Sequence, residues 1–69
     1  MTPTHSEIRE DLRRRITAGE FAPGETLPDL DTLSRSYLAE HSSVRRALHE
    51  LAAEGLVVLN LQAVVTGRI

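Results

Sequence analysis

The sequence predicts a small, mainly α-helical domain that ends in a two-stranded β-hairpin. Two observations carry this. First, apolar residues recur at steps of three and four in three separate stretches: Ile8, Leu12 and Ile16; Leu30, Leu33, Tyr37 and Leu38; and Val44, Ala47, Leu48, Leu51 and Ala52. That spacing places side chains on one face of a helix. Second, the pattern changes after Gly55 to Leu56-Val57-Val58-Leu59, a β-branched apolar run that suits a strand better than another helical turn.

The first helix opens at Thr4-His5-Ser6-Glu7, which has the form of a capping box, with Pro3 in front of it. Gly19 ends it. Glu10 with Arg14 and Asp11 with Arg15 are acid-before-base pairs four residues apart, so the run Arg13-Arg14-Arg15 reads as a solvated, internally paired face. Phe21 to Glu25 contains Pro23-Gly24 and reads as a turn. Thr26 and Leu27 are extended, because Pro28 disfavours helix in the residue before it. Asp29 caps the second helix, and Asp31 adds a second acid at its positive end. A short connection, Ala39-Glu40-His41, leads to the third helix. Two short helices joined by so few residues have the helix-turn-helix spacing.

The third helix keeps Val44, Ala47, Leu48, Leu51 and Ala52 on one side, and leaves Ser42, Ser43, Arg45, Arg46, His49 and Glu50 on the rest of the cylinder. Gly55 closes it by taking the left-handed conformation. A short helix with a small polar start and two arginines has the shape that enters a DNA major groove. The plainer alternative is a core helix with one solvated face. Beyond it, Asn60-Leu61 or Gln62-Ala63 turns the chain, Val64-Val65-Thr66 returns as a strand, and Gly67 ends the regular part. The elements are expected near about 5–18, 29–38, 42–54, 56–61 and 64–66. Three helices followed by a hairpin is the winged helix-turn-helix order.

Composition narrows the function classes. Sixty-nine residues are expected to form one domain, residues 1–69, with a thin core. There is no cysteine to form a disulfide or a thiolate metal site. No apolar run approaches the roughly 20 residues of a membrane helix, and the N-terminus lacks a signal-peptide layout, so a cytoplasmic location is expected. Eight basic against ten acidic residues give a net charge of −2, which argues against indiscriminate binding to nucleic acid but not against a local basic patch. All eight basic residues are arginine, whose fork matches phosphate and guanine. His41 and His49 lie about 12 Å apart along a helix at ~1.5 Å per residue, too far to share one metal ion. No catalytic residue, cofactor or metal site is expected, and the chain is not expected to be an enzyme.

Two phrases, IREDLRRRITAGEFAPGETLP and SVRRALHELAAEGLV, with Leu33 and Tyr37 between them, carry a specific resemblance. From about residue 8 to residue 58 the chain resembles the N-terminal DNA-binding domain of the GntR family of bacterial transcription regulators. The resemblance implies a winged helix that binds operator DNA as a dimer, followed in most members by an effector-binding domain. It departs from the family pattern in three places. Asp29-Leu30-Asp31 stands where the family has Ser-Glu-Arg, so Asp31 replaces an arginine. Glu40-His41-Ser42-Ser43 replaces Ser-Arg-x-Thr. Asn60-Leu61-Gln62-Ala63 replaces a basic, glycine-rich wing tip. Arg45 and the hydroxyl of Ser43 match the pattern.

The candidate nucleic-acid contacts are therefore Arg45, Ser43, Ser42, His41, Arg46 and Arg35, with residues 41–54 in the major groove. Each has a plainer structural reading: Ser42 and Ser43 as polar turn or cap residues, and Arg46 as the partner of Glu50 four residues on. Two other functions compete with a sequence-specific regulator. One is a protein-interaction module that has lost DNA binding and meets a partner, or a second copy in a homodimer, through the apolar hairpin residues Leu59, Leu61, Val64 and Val65. The other is a small DNA-architectural or excision factor.

Overall fold

A computed structural model describes residues 3–59 and 63–66. The order of elements is α1 (His5–Thr17), α2 (Leu30–Tyr37), α3 (His41–Ala53), β1 (Val57–Leu59) and β2 (Ala63–Val65). This is the mainly helical fold with a small antiparallel hairpin that the apolar periodicity predicts.

Local chemistry fixes each boundary. In α1 the Thr4 hydroxyl accepts from the Glu7 amide at 3.2 Å, and the Glu7 carboxylate accepts from the Thr4 amide at 2.8 Å, which completes the capping box. In α2 the Asp29 carboxylate accepts from the Thr32 amide at 2.8 Å, and this bond holds the Asp29 carboxyl below its usual value. Gly55, at φ +83°, closes α3: the Gly55 amide bonds to the Ala52 carbonyl and the Leu56 amide to the Leu51 carbonyl. These are the paired bonds of a left-handed helix stop.

Helix α3 packs against α1, α2 and β1. Ile8 and Leu12 from α1, Leu33 from α2, and Val44, Ala47, Leu48 and Leu51 from α3 form the core, closed by Leu27, Val57, Ala63 and Val65. The strands pair with Val57 opposite Val65 and Leu59 opposite Ala63. The extended stretch around Thr26 joins the far edge of β2, with the Leu27 amide bonded to the Ala63 carbonyl and the Val65 amide to the Glu25 carbonyl.

Four expectations need correction. Leu38 is not on the apolar face of α2. It caps that helix at φ +54° with 76% of its surface exposed, because the turn into α3 needs a left-handed residue there. The first strand begins at Val57 rather than Leu56, and Ala63, which one of the two turn alternatives placed in the turn, belongs to β2 and is buried in the core. Within α1 the acid–base partners lie three apart: Glu10 with Arg13 and Asp11 with Arg14. Asp11 does reach Arg15, at 3.9 Å, as the four-residue spacing implied. Finally, the hairpin is not a uniform apolar surface. Val65 is buried and Leu59 and Val64 are half-buried, while Val58 is the exposed residue at 54%. Asn60, Leu61, Gln62 and Gly67 lie outside the described residues.

Candidate nucleic-acid interface

The exposed side of α3 is built by subtraction. Val44, Ala47, Leu48 and Leu51 point into the core. Geometry at ~100° per residue then turns Ser42, Arg45, Arg46 and His49 outward, and all four are exposed, as is His41 at the open end of the helix. Ser43, on the flank, is half-buried. His41 is the first residue of the helix, and Glu40 is its N-cap without a side-chain capping bond. Ser42 and Ser43 therefore lie inside the first turn and do not cap it.

The arginines sort by their partners. Arg9 bonds Glu50 at 2.6 Å. Arg13 joins Glu10 and Glu54, Arg14 joins Asp11, and Arg15 joins Glu20. Arg46 reaches Glu50 at 3.5 Å, the pairing its spacing implied. Arg35 reaches Asp31 at 2.8 Å. Among the described residues Arg45 is the one arginine with no acidic partner. A guanidinium that is exposed, unpaired and anchored on a packed helix has all five N–H donors available to an anion or to a base edge.

Glu50 explains why Arg45 and its neighbour differ. Burial pushes the Glu50 carboxyl up, but the hydrogen bond from Arg9 and a smaller contribution from His5 outweigh it and hold it below its usual value. His5 Nδ1 lies 3.4 Å from the same Oε1 that Arg9 occupies. Glu50 thus ties α1 to α3 and anchors Arg46 to the helix side.

His49 is exposed, as the helical spacing predicts, and lies one turn beyond Arg45, so His41, Arg45 and His49 form a row at steps of four. The spacing of Tyr37 predicts only an apolar role. Its ring packs against the core, but its hydroxyl donates to Asp11 at 2.5 Å and accepts from Arg15 at 3.1 Å. No local signal links residues 26 positions apart. Among the described residues no group of His, Cys, Asp and Glu is placed to hold a metal ion, and no helix is long and apolar enough to cross a membrane.

Helices α2 and α3, joined through a left-handed turn, packed on α1 and followed by a hairpin, define a winged helix-turn-helix domain. The sequence model for bacterial regulatory proteins of the gntR family matches residues 4–63, and the chain belongs to that family. It is 33% identical over 55 residues to the uncharacterized HTH-type transcriptional regulator YisV of Bacillus subtilis (strain 168). That match covers 80% of this chain and 11% of YisV. The chain therefore spans about a ninth of the length of that relative. Among solved structures, YtrA from Sulfolobus acidocaldarius, a GntR-family transcription factor, superposes with a TM-score of 0.88 at 28% identity, over 99% of this chain and 73% of that one. The DNA-binding domain of AraR in complex with operator ORE1 superposes with a TM-score of 0.89 at 20% identity, over 96% and 83% of the two chains, a likeness of fold.

Proposed function

We propose that this chain is the DNA-reading domain of a transcription regulator, with α3 lying in the major groove. The observation that carries the reading is Arg45. It is exposed on the outer face of the second helix of a helix-turn-helix and is spared by every acid that pairs the other described arginines. Ser42, Ser43 and His41 precede it in the first turn, and His49 extends the row. In this reading Arg45 contacts phosphate or guanine, Ser42, Ser43 and His41 lie at the base edges, and Arg46 and Arg35 are secondary cations. Family membership supports a regulatory role, and the same fold occurs in the AraR DNA-binding domain in complex with operator ORE1.

The test is titration of the protein into duplex DNA over a series of salt concentrations. A domain that neutralises phosphates releases counterions, so its affinity falls linearly with salt on a logarithmic plot. Affinity independent of salt, or absent at low salt, rejects the reading.

A second reading has its own observation. Val58 is exposed on β1 and pairs with half-buried Val64, an apolar pair on the outer face of the hairpin, while Leu59 packs against the core. The outer pair supports contact with a protein partner, including a second copy of the chain. Sedimentation at rising concentration tests self-association. A monomer at all concentrations, for both the parent and Val58→Lys, removes it for the isolated domain.

A further inference from the structure

We propose that Asp31 is an internal counter-charge that restrains Arg35 and His41 and so sets how tightly this surface holds a DNA backbone. The proposal rests on the DNA-reading function above.

Asp31 lies in the first turn of α2. One carboxylate oxygen, Oδ2, is 2.8 Å from the Arg35 guanidinium on the same helix. The other, Oδ1, is 3.3 Å from His41 Nε2, in the first turn of α3. Both oxygens are therefore used, and the carboxylate bridges the two helices at the end where α3 begins. An imidazole nitrogen facing a carboxylate oxygen serves as the donor.

This bridge differs from the one at Glu50. The Glu50 side chain is half-buried between α1 and α3 and holds the fold together. At Asp31 the three partners are open to solvent, with Arg35 81% exposed and His41 53%. Exposed pairs of this kind shift an equilibrium by at most about fivefold, so the fold does not depend on the bridge. Its consequence falls on Arg35 and His41. A carboxylate and a phosphate present the same kind of oxygen to a guanidinium. Asp31 already engages one nitrogen of Arg35 and one of His41 and places a negative charge beside the donors a phosphate would use. When DNA approaches, each gain of a phosphate contact is offset by loss of the Asp31 contact, and the Asp31 carboxylate is left close to the phosphates. Arg45 carries no such restraint.

The experiment is a mutant cycle read by titration of mixed-sequence duplex DNA, where backbone contacts dominate. Asp31→Asn keeps the side-chain shape and removes the charge, and Asp31→Ser serves as a second variant. Asp31→Asn is expected to bind about three- to fivefold more tightly at low salt, with a salt slope steeper by about one. Arg35→Ala in the parent is expected to change little, because that arginine is occupied. In the Asp31→Asn background it is expected to remove most of the gain. Equal effects of Arg35→Ala in both backgrounds would show that Asp31 acts only through overall charge, and would overturn the proposal. So would Asp31 variants that bind like the parent while Arg45→Ala still weakens binding, a result that leaves the DNA-reading function standing. Salt-dependent binding by neither the parent nor Asp31→Asn rejects both.

Discussion

Arg9 on α1 and Glu50 on α3 are 2.6 Å apart, and the same carboxylate also reaches Arg46, which leaves Arg45 as the arginine of α3 with no acidic partner. Glu50 gives Oε1 to Arg9 and Oε2 to Arg46 at 3.5 Å. Arg46 is thereby drawn to the side of α3 that faces α1. Arg45, one residue earlier, is turned by ~100° around the helix and meets no acid.

The carboxylates Glu10, Glu50 and Asp29 all lie below their usual values: Glu10 because Arg13 donates to it, Glu50 because Arg9 outweighs its burial, and Asp29 because of the Thr32 amide. A carboxylate with a depressed folded pKa adds stability that is fully present above its unfolded value, about 4, and is lost as pH falls through the folded value. Stability is therefore expected to decline below about pH 4.5. The acid limb should be shallower for Glu50→Gln, measured by urea unfolding at several pH values. An identical acid limb in the variant contradicts the role given to Glu50.

Tyr37 is the single tyrosine of the chain, so its ionisation can be read directly by absorbance. Burial, then the hydrogen bond to Asp11, raises its phenol to about 12. The folded value exceeds the unfolded value of about 10, so the stabilisation is complete below pH 10 and is lost as pH rises towards 12. The phenol titration of the folded protein should lie well above that of the protein in urea. Tyr37→Phe is expected to cost about 1 kcal/mol, roughly 4–8 °C in Tm for a domain this small.

The core rests on few side chains. Leu51 is fully buried and Leu48 nearly so, both on the inner face of α3. Truncating either to alanine is expected to cost about 2–5 kcal/mol, against a total near 5 kcal/mol for such a domain. Thermal melting that matches the parent would show that α3 is not packed as described.

At Leu38 the direction reverses. A left-handed backbone costs a residue with a Cβ roughly 1–2 kcal/mol, and glycine avoids this at an entropic cost of about 0.5–1 kcal/mol. The exposed Leu38 side chain is absent from the core cluster, so little packing is lost. Leu38→Gly is expected to raise stability by about 0.5–1 kcal/mol. Denaturant unfolding checks this, and a less stable variant contradicts the strain.

The start of α3 offers a gain of function. Glu40 makes no side-chain capping bond, and in the proposed function its charge stands at the end of α3 that meets phosphates. Glu40→Ser combined with His41→Arg supplies a capping hydroxyl, worth about 1 kcal/mol, and a permanent cation. The double variant is expected to bind DNA more tightly and with a steeper salt dependence. Weaker binding by the double variant, measured on one duplex at two salt concentrations, contradicts this.

Much of this was legible in the sequence because it is local. The Thr4–Glu7 box, the Asp29 cap, the Gly55 stop and the Arg46–Glu50 pair all act within one helical turn or its ends. The inner face of α3 follows from its spacing alone. What the sequence hid joins distant residues: Tyr37 with Asp11, Arg9 with Glu50, Asp31 with His41, and the stretch at Thr26 with β2. Leu38 misled for a different reason. Its spacing fits the apolar face of α2, but the left-handed backbone of the turn overrides the side chain's preference for burial.

The role of Arg45 is tested by comparing the parent, Arg45→Ala and Arg46→Ala in binding one duplex across a range of salt. Arg45 is free and Arg46 is held by Glu50. Arg45→Ala is therefore expected to weaken binding by about 1–3 kcal/mol if it reads a base, or to reduce the salt slope by about one if it meets a phosphate. Arg46→Ala should do less on both counts. If Arg45→Ala binds as tightly as the parent at every salt concentration, α3 does not read DNA through Arg45, and the proposed function is wrong.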